Sequence, residues 1–348
     1  MKPRIEVGIV GYGAYVPRLR LDSAEVERVW KGQAGRRGVA FKAVAALDED
    51  TVTIAIEAAR NAVAMAGIAG AELGAVWVGT ESKPYSVKPT STIVADALGA
   101  LPRACAADWE FACKAGTEAM QASFAFVASG MARYALCVGA DTAQGRPGDA
   151  MELTCGSGGA AYAIGLAEES LAVLEASTSY VTNTPDFFRR EGRPYPSHGN
   201  RFTGEPAYFA HVQEATRTLL AEVGCSPRDY RFAIFHQPNV AFPARVAKML
   251  GFEREQVEPY ILSGEVGNTY AGASMLAAAA ALDDARPGDR LLLCSYGSGA
   301  GADAFSFVVT DRIAERRGRA PRVRDYLARR CEIDYAIYAR TRGKIRVG

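Results

Sequence analysis

Apolar and polar positions along the chain predict a layered α/β fold. Short apolar runs rich in β-branched and aromatic residues alternate with segments whose apolar residues recur at helical spacing. In the first half the predicted elements are a strand at Val7 to Val10, a helix at Thr51 to Met65, a strand at Ala75 to Gly79, a helix at Cys113 to Ala128, and strands at Tyr134 to Gly139 and Ala160 to Ile164.

The second half repeats this order of elements. Its predicted elements are a strand at Ala172 to Ala176, a helix at Ala207 to Glu222, a strand at Arg231 to Phe235, a helix at Gly272 to Ala285, and strands at Arg290 to Cys294 and Ala304 to Val309. Glu81 and Cys113 are 32 positions apart, and so are His236 and Asn268. The repetition predicts two duplicated halves, residues 1–168 and 169–348.

Polar residues follow several of these strands directly. Glu81, His236 and the turn Gly297-Ser298-Gly299 each come at a strand end. Ligands of layered α/β sheets bind outside the carboxyl ends of strands. We therefore expect these residues and the two helix starts, at Cys113 and Asn268, to face one cavity.

Composition narrows the class of protein. The 348 residues are 49% hydrophobic with a formal net charge of +1, which is typical of a soluble globular protein and argues against nucleic acid as main partner. The apolar runs are too short to span a membrane, and the N-terminus lacks the apolar stretch of a signal peptide. Seven cysteines without a CxxC pair favour free thiols in a reducing, cytoplasmic compartment. Eight arginines between residues 312 and 330 favour a solvated face over a docking surface for a partner or a ligand phosphate.

Cys113 is the candidate nucleophile. It begins a predicted helix, whose dipole favours the thiolate, and Gly116 one turn later would leave room for an acyl group. A buried structural cysteine is the alternative, because free cysteine is among the most buried residue types. The histidine and the acid at matched strand ends favour the nucleophile.

His236 and Glu81 are the candidate proton-transfer groups. A neutral imidazole at position 236 can donate a hydrogen bond to a thioester carbonyl and relay a proton, although a core histidine is the alternative. A carboxylate at position 81 in a partly apolar pocket can have a raised pKa and act as a base, although a surface glutamate is the alternative. No HxxxH or HExxH spacing indicates a metal site.

Two further segments carry candidate binding groups. Asn268 can orient His236, bind a water or a carbonyl, or cap a helix. The segment Tyr296-Gly-Ser-Gly-Ala-Gly301 offers backbone N–H groups for an oxyanion hole, or is simply a tight turn. The glycines match neither GxGxxG nor GxxxxGK[ST], so no nicotinamide or nucleoside triphosphate site is predicted.

The motifs resemble those of archaeal-type hydroxymethylglutaryl-CoA synthases, a branch of the thiolase superfamily, across nearly the whole chain. The matching stretches are GYGAYVPR (11–18), DEDT (48–51), ESKPYSVKPT (81–90), EFACKAGT (110–117), ADTAQGRPGD (140–149), RFTGEPAYF (201–209), FHQPN (235–239), GNTYAGAS (267–274), YGSGAGADAF (296–305) and DYAIYARTRGKIR (334–346). The resemblance implies a thiolase-like αβαβα fold built from two pseudo-duplicated halves.

The resemblance also implies a reaction. Cys113 would carry acetyl from acetyl-CoA, Glu81 would deprotonate its methyl group, and His236 would hold acetoacetyl-CoA and protonate its C3 oxygen. Water would then release hydroxymethylglutaryl-CoA for the mevalonate pathway, with no cofactor besides the CoA thioesters. The acyl group would meet Thr203, Asn268 and Ser298, and CoA would run along Arg201 and Arg245.

The chain departs from the family pattern at two places. Ala241 stands where the family has a lysine that meets CoA, and Lys248 or the basic C-terminal region is expected to compensate. Gly156 stands where a serine is expected in the acyl site, and Ser157 is expected to substitute for it. The resemblance also implies a homodimer that associates with an acetoacetyl-CoA thiolase through a zinc-ribbon OB-fold protein. Neither nucleic acid nor a membrane is expected as a partner.

Two other functions fit the same residues. A type III ketoacyl synthase uses a cysteine, a histidine and an asparagine, which Cys113, His236 and Asn268 supply. Decarboxylative condensation needs no carboxylate base, so Glu81 favours the synthase over this alternative. A non-catalytic thiolase-fold subunit that binds acyl-CoA in an acyltransferase complex is the second alternative, supported by Ala241.

Overall fold

The strands are defined in a computed structural model that describes residues 1–31, 38–143, 145–199 and 201–344. In chain order they are β1 Val7–Tyr15, β2 Leu19–Asp22, β3 Phe41–Val44, β4 Leu73–Gly79, β5 Cys105–Trp109, β6 Tyr134–Thr142, β7 Ser157–Leu166, β8 Ala172–Val181, β9 Phe187–Phe188, β10 Ser197–His198, β11 Phe232–Phe235, β12 Arg290–Gly297, β13 Gly301–Val309 and β14 Cys331–Ile333.

The α-helices connect and cover these strands. They are α1 Ser23–Trp30, α2 Thr51–Ala66, α3 Thr90–Ala97, α4 Ala115–Ala128, α5 Ala150–Thr154, α6 Phe209–Val223, α7 Ala241–Leu250, α8 Arg254–Val257, α9 Ser263–Val266, α10 Ala273–Asp284, α11 Arg312–Arg316, α12 Val323–Ala328 and α13 Tyr335–Thr341. No helix in the described ranges is long and apolar enough to cross a membrane.

The main sheet contains two mirrored sets of strands. Its order is β11-β12-β13-β8-β1-β7-β6-β4-β5, so each half runs outward from the central β1–β8 pair through four strands in the same succession, and β5 is an additional edge strand of the first half. The central pair is antiparallel, whereas β4 with β6 and β11 with β12 are parallel. The thiolase-like layered fold made of two related halves is confirmed. The proposed boundary at 168/169 falls in the turn between β7 and β8 and stays a prediction.

Helices α4 and α10 lie in the centre of the molecule. Every residue of α10 from Ala273 to Asp283 is buried, which explains why its apolar positions occupy all faces of the helix. Close approach requires glycine here: a Cβ on Gly116 would lie 2.5 Å from the Met275 sulfur and 2.7 Å from the Ala271 carbonyl oxygen. The space beside Gly116 is therefore filled by α10, and the expectation that it accommodates an acyl group is wrong.

The two halves are related in a different register from the one that the sequence spacing suggested. Short 3₁₀ turns precede both central helices, at Ala112–Lys114 and Tyr270–Gly272. The first residues of the two turns have positive φ angles, 42° for Ala112 and 49° for Tyr270. This register pairs Ala112 with Tyr270 and therefore Cys113 with Ala271, three positions beyond Asn268. The equal spacing of 32 positions was a coincidence within a genuine duplication.

The arginine-rich segment from 312 to 330 ties the C-terminal helices to the rest of the chain. Arg312 donates to the Glu168 carbonyl oxygen at 2.6 Å, and Arg316 and Arg317 donate to the carbonyl oxygens of Val10 and Ala285. Arg329 donates to the Val16 carbonyl oxygen at 3.1 Å. Much of this positive charge is therefore used to hold the fold together.

Candidate active site

A cavity of about 1300 Å³ opens between the two halves, and most of the predicted site residues line it. Those lining it are Cys113, Arg201, Thr203, His236, Arg245, Asn268 and Ser298. The lining does not include Glu81, Gly156, Ser157 or Lys248. The expectation of one cavity shared by both halves is thus met for Cys113, His236 and Asn268. Glu81 lies behind the loop that carries Cys113, hereafter the cysteine loop.

Cys113 lies in the 3₁₀ turn before α4 rather than in the helix itself. It is 7% exposed, and its thiol interacts with the Asn268 side chain. Burial raises the pKa of the thiol well above its ordinary value, and the charges of Asp141 and Glu81 add to this effect, while the Asn268 hydrogen bond opposes it. The expected thiolate at the helix start is not the resting form. A neutral thiol that serves as a nucleophile must lose its proton as it attacks.

Glu81 follows β4 and its carboxylate lies behind the nucleophile. Its Oε1 atom is buried without a hydrogen-bond partner. Burial raises the pKa of Glu81 to about 7, with further contributions from the negative charges of Asp141 and Glu110, against the backbone N–H groups of Ala112 and Phe111. These amides come from the residues just before Cys113, so the carboxylate is close to the thiol's own loop. A carboxylate that titrates near neutrality is suited to act as a base.

Asp141 connects the glutamate to the other half and was missed in the sequence. Its Oδ1 accepts from the Glu81 backbone N–H at 2.8 Å and from Thr80 Oγ1 and Ser82 Oγ at 2.8 and 2.6 Å. Its Oδ2 accepts from the Ala271 backbone N–H at 2.9 Å. One buried carboxylate therefore fixes both the glutamate loop and the turn before α10. The available signal was an aspartate at the end of an apolar strand.

His236 follows β11 and is surrounded by aromatic rings. The ring centroids of Tyr208 and Tyr296 each lie 6.4 Å from that of the imidazole. The histidine backbone is held by Tyr208 Oη, which donates to its carbonyl oxygen at 2.8 Å, while Nδ1 is buried without a partner. Burial alone lowers the pKa of His236 to about 3. The ring is therefore neutral at physiological pH, as the sequence argument required.

Asn268 is held by its own backbone and by the residues just before β7. The side-chain Oδ1 accepts from the Tyr270 backbone N–H at 2.9 Å. The Asn268 backbone N–H donates to the Thr154 carbonyl oxygen, and the Asn268 backbone carbonyl oxygen accepts from the Gly156 N–H at 2.8 Å. Because Oδ1 is occupied, the amide nitrogen is the group that faces the Cys113 sulfur. Asn268 therefore orients a donor toward the thiol.

Gly156 acts through backbone packing. A Cβ at this position would lie 1.9 Å from the Val266 carbonyl oxygen, so a serine here requires the backbone to move. The glycine allows β7 to reach the segment that carries Asn268. Ser157 is 2% exposed in the first position of β7 and pairs with Thr142, so it does not reach the cavity as a substitute serine. Substrate contacts by Gly156 and Ser157 remain predictions without support in this geometry.

The turn from Gly297 to Gly301 packs directly on the cysteine loop. A Cβ on Gly297 would lie 2.4 Å from the Phe111 carbonyl oxygen, and one on Gly301 would lie 2.8 Å from Lys114 Cε. The backbone N–H groups of Gly299 and Ala300 donate to Asp186 Oδ1 and the Thr182 carbonyl oxygen. We therefore expect the oxyanion-hole donor of this turn to be Ser298, which lines the cavity with Cys113.

Lys114, immediately after the nucleophile, is a second group that the sequence did not reveal. Its side chain is 0% exposed and passes between the two glycines of this turn to reach Asp303, with Nζ 3.1 Å from both carboxylate oxygens. Asp303 also accepts from Ser179 Oγ at 2.6 Å and Thr117 Oγ1 at 2.7 Å. This buried ion pair joins the cysteine loop of the first half to β13 of the second.

The predicted CoA contacts are only partly placed at the cavity. Arg245 lines it and pairs with Glu205 at 2.7 Å, and Arg201 lines it as an exposed residue. Lys248 is exposed on α7 outside the lining. Ala241 is exposed at the first position of α7, where Asn239 Oδ1 accepts from its N–H at 2.9 Å. Across the described ranges, no group of three or more His, Cys, Asp or Glu side chains is arranged to hold a metal ion.

Comparison with known proteins connects this geometry to a family. The hydroxymethylglutaryl-CoA synthase of Pyrococcus horikoshii is 58% identical over 345 residues, covering 99% of this chain and 98% of the relative. The hydroxymethylglutaryl-CoA synthase of Methanopyrus kandleri is 55% identical over 350 residues, covering 99% of this chain and 100% of the relative. The family model for the C-terminal part of 3-oxoacyl-[acyl-carrier-protein] synthase III matches residues 220–309.

Solved structures share the fold at much lower identity. The structure of MvaS in complex with 3-hydroxy-3-methylglutaryl coenzyme A is 23% identical, with a TM-score of 0.85 over 99% of this chain and 93% of the other. The 3-oxoacyl-[acyl-carrier-protein] synthase III of Aquifex aeolicus is 22% identical, with a TM-score of 0.79 over 87% of this chain and 99% of the other.

Proposed function

Because this chain belongs to the hydroxymethylglutaryl-CoA synthase family, we propose that Cys113, Glu81 and His236 carry out the condensation of acetyl-CoA with acetoacetyl-CoA and water. The chain is an acyl-CoA condensing enzyme that forms a carbon–carbon bond, and its product is (3S)-3-hydroxy-3-methylglutaryl-CoA of the mevalonate pathway. The observation that carries the assignment of roles is the buried Glu81 carboxylate behind Cys113, with a pKa raised by burial to about 7.

The first step loads the enzyme. Cys113 Sγ forms a bond to the acetyl carbonyl carbon, the bond from that carbon to the CoA sulfur breaks, and CoA leaves with the proton that the thiol gives up. The oxyanion of the tetrahedral intermediate is stabilised by the backbone around Cys113 and Ser298, and the Asn268 amide faces the reacting sulfur. Preorganised donors are worth more than the same donors in solution, because they need no reorganisation at the moment of reaction.

The second step forms the new carbon–carbon bond. Glu81 removes a proton from the methyl group of the acetyl thioester, and the resulting carbanion attacks C3 of acetoacetyl-CoA. The neutral His236 ring donates a hydrogen bond to the C3 oxygen and passes it a proton as the alkoxide forms. The proton on Glu81 is then transferred to the ring nitrogen that gave one up, so Glu81 returns to a carboxylate and His236 to a neutral ring, and the step creates no net charge.

The third step releases the product. Water adds its oxygen to the acyl carbon on Cys113, the bond to Sγ breaks, and the thiol regains a proton. The free carboxylic acid leaves as hydroxymethylglutaryl-CoA. Arg201 and Arg245 at the cavity wall are proposed to contact CoA, and Thr203 to contact the acyl group. The proposed reaction uses only acetyl-CoA, acetoacetyl-CoA and water.

The assembly rests on the family resemblance. We infer a homodimer, an association with acetoacetyl-CoA thiolase through a zinc-ribbon OB-fold protein, and a cytoplasmic location. Size-exclusion chromatography with light scattering on the full chain, alone and mixed with these two proteins, tests the assembly. A monomer that binds neither protein would contradict it.

Mass spectrometry tests the proposed reaction. Incubation with acetyl-CoA is expected to add one acetyl group at Cys113, and subsequent acetoacetyl-CoA is expected to remove it with formation of hydroxymethylglutaryl-CoA. A stable acetyl adduct that acetoacetyl-CoA does not discharge would overturn the synthase and leave the fold unchanged.

A decarboxylative ketoacyl synthase is the second candidate, favoured by the family model that matches residues 220–309. It generates its carbanion by loss of carbon dioxide, so it has no use for Glu81. The test is a Glu81→Ala variant supplied with malonyl thioesters. Continued condensation would favour the ketoacyl synthase, whereas loss of all condensation favours the proposed reaction.

A further inference from the structure

The wall of the cavity is strongly cationic. Five arginines line it, at positions 146, 190, 193, 201 and 245, against the carboxylates of Asp149 and Glu205. Arg245 Nη2 lies 2.7 Å from Glu205 Oε1, and Arg146 Nη2 lies 3.6 Å from Asp149 Oδ2, so these two arginines are paired. In the described part of the chain the other three arginines have no ion pair. The whole chain has a formal charge of only +1, so this surplus is local.

Two of the unpaired arginines lie on one small hairpin. Strands β9 and β10 pair Phe188 with Ser197 and Phe187 with His198, and the connecting turn carries Arg190 and Arg193. The ring centroid of Phe187 lies 6.1 Å from that of Tyr270. Phe187 packs against the small buried cluster of Cys113, Cys155 and Tyr270. The hairpin therefore covers the cavity that contains the nucleophile.

The turn that carries Arg190 and Arg193 is anchored to the loop that contains Glu81. The Arg193 N–H donates to the Arg190 carbonyl oxygen at 3.1 Å, which closes the turn. The Arg189 side chain donates to the carbonyl oxygens of Arg193 at 3.3 Å and of Glu81 at 3.4 Å. The guanidinium groups of the turn are thus presented from a backbone that is held in place.

The other candidate replacements for the lysine absent at position 241 lie elsewhere. Lys248 lies outside the cavity lining. Arg312, Arg316 and Arg317 in the basic C-terminal segment donate to backbone carbonyl oxygens of the protein itself. The unpaired cations that the cavity does present are those of the hairpin and Arg201.

We propose that Arg190 and Arg193 bind the phosphate groups of the CoA thioester and take the part of the absent lysine. This inference rests on the proposed function, because it concerns the same substrate. Guanidinium groups bind phosphate oxygens through paired, charge-assisted hydrogen bonds, and an arginine without an internal carboxylate partner is free to do so. The hairpin then links recognition of the phosphate end to the loop that contains Glu81.

The experiment measures acetylation of Cys113 by acetyl-CoA, by acetyl-dephospho-CoA and by acetyl-pantetheine, which lacks every phosphate. In an Arg190→Gln/Arg193→Gln variant, the ratio of kcat/KM for acetyl-CoA to that for acetyl-pantetheine should fall roughly 10- to 100-fold, because two charged contacts are lost. The arm with acetyl-dephospho-CoA separates the 3′-phosphate from the diphosphate. An unchanged ratio would overturn the proposal.

A matched control uses two arginines away from the cavity. Arg217 on α6 and Arg254 on α8 are exposed, and an Arg217→Gln/Arg254→Gln variant makes the same change in net charge. Its ratio should equal that of the unmodified protein. An equal fall in both variants would reduce the effect to net charge and overturn the hairpin site.

A rescue variant tests the relation to the absent lysine. Adding Ala241→Lys to the hairpin variant returns a cation to α7 and should recover roughly tenfold of the lost ratio. No recovery would overturn the claim that the arginines take over the lysine's part. If no thioester acetylates Cys113 in any protein, the proposed function itself fails; acetylation with an unchanged ratio removes only the hairpin site.

Discussion

The two halves place the proposed proton-transfer groups at the same kind of position but in different surroundings. Glu81 follows β4 and His236 follows β11, which occupy matching places in the mirrored sheet. Glu81 lies near the carboxylates of Asp141 and Glu110, whereas His236 lies among the rings of Tyr208 and Tyr296. One scaffold thus places a carboxylate beside other negative charges and an imidazole between aromatic rings.

Burial acts on the two groups in opposite directions for the same reason. It disfavours whichever form is charged, so it raises the pKa of Glu81 to about 7 and lowers the pKa of His236 to about 3. The glutamate becomes a group that exchanges protons near neutrality. The histidine becomes a ring that stays neutral and donates a hydrogen bond. The difference in surroundings between the halves therefore supports the proposed roles of Glu81 as base and His236 as donor.

Removal of the thiol breaks the comparison most completely, since Glu81 is proposed to deprotonate the acetyl group that the thiol carries and His236 to assist the bond formed to that group. Cys113→Ala should abolish the acetyl adduct and lower the rate of product formation by about 10⁴- to 10⁶-fold. Mass spectrometry of the protein after acetyl-CoA measures the adduct. Cys105→Ala, which removes an exposed thiol outside the cavity, is the control and should retain it. An adduct on the Cys113→Ala protein would disprove the role of this residue.

Removal of the base should separate the first step from the second. In Glu81→Gln the rate of condensation should fall about 10²- to 10⁴-fold, because the methyl proton has no acceptor, while acetylation of Cys113 persists. Single-turnover measurements with preformed acetyl-enzyme test this. Glu110→Gln removes a neighbouring charge and should retain condensation. If both variants condensed at the original rate, Glu81 would not be the base.

The contact between the halves can be broken at Lys114. Lys114→Met leaves the buried Asp303 carboxylate without its cation and should lower the free energy of unfolding by about 3–5 kcal/mol. Urea denaturation of the full chain measures the change. The variant Arg254→Met, which breaks an exposed pair with Glu258, should change the stability by less than about 1 kcal/mol. Equal effects in the two variants would refute the structural role of the buried pair.

Gly156 tests how tightly the segment before β7 supports Asn268. Gly156→Ser should cost about 1–3 kcal/mol of stability, because the added Cβ overlaps the Val266 carbonyl oxygen and forces the backbone to shift. The exposed Gly130, where an added Cβ meets nothing within 4 Å, provides a control without steric overlap. Its φ is 78°, so Gly130→Asn is a better control than Gly130→Ser, because asparagine tolerates this left-handed conformation. A fully stable Gly156→Ser protein would show that the contact is loose.

The pH dependence distinguishes Glu81 from His236. Condensation requires ionised Glu81, so its rate should rise about tenfold per pH unit below 7 and level off above it, with no limb from His236 between pH 5 and 8. Because the folded pKa of Glu81 is raised, its contribution to stability is present below about 4.5 and is lost as the pH rises through 7. Rates and unfolding curves at pH 5 to 8 measure both. A limb that survives in acetyl-enzyme of Glu81→Gln would contradict the assignment.

Much of the architecture was predictable because local patterns carry it. The strand at Ala75 to Gly79 and the helix at Thr51 to Met65 lie within a residue or two of their observed bounds, since apolar period and stop signals act over a few neighbours. The strand at Cys105–Trp109 was missed, because it is a partly exposed edge of the sheet with little apolar alternation. The register between the halves was also misjudged, because it depends on which turns precede α4 and α10.

The sequence by itself determined the fold class, the duplication and which side chains are proposed to react, because periodicity and strand-end position are properties of short segments. Tertiary structure decided the chemical state of those side chains. The depth of burial keeps the Cys113 thiol and the His236 ring neutral, and the carboxylates around Glu81 come from distant parts of the chain. Desolvation and Coulomb interactions depend on three-dimensional distance, which the order of residues does not state.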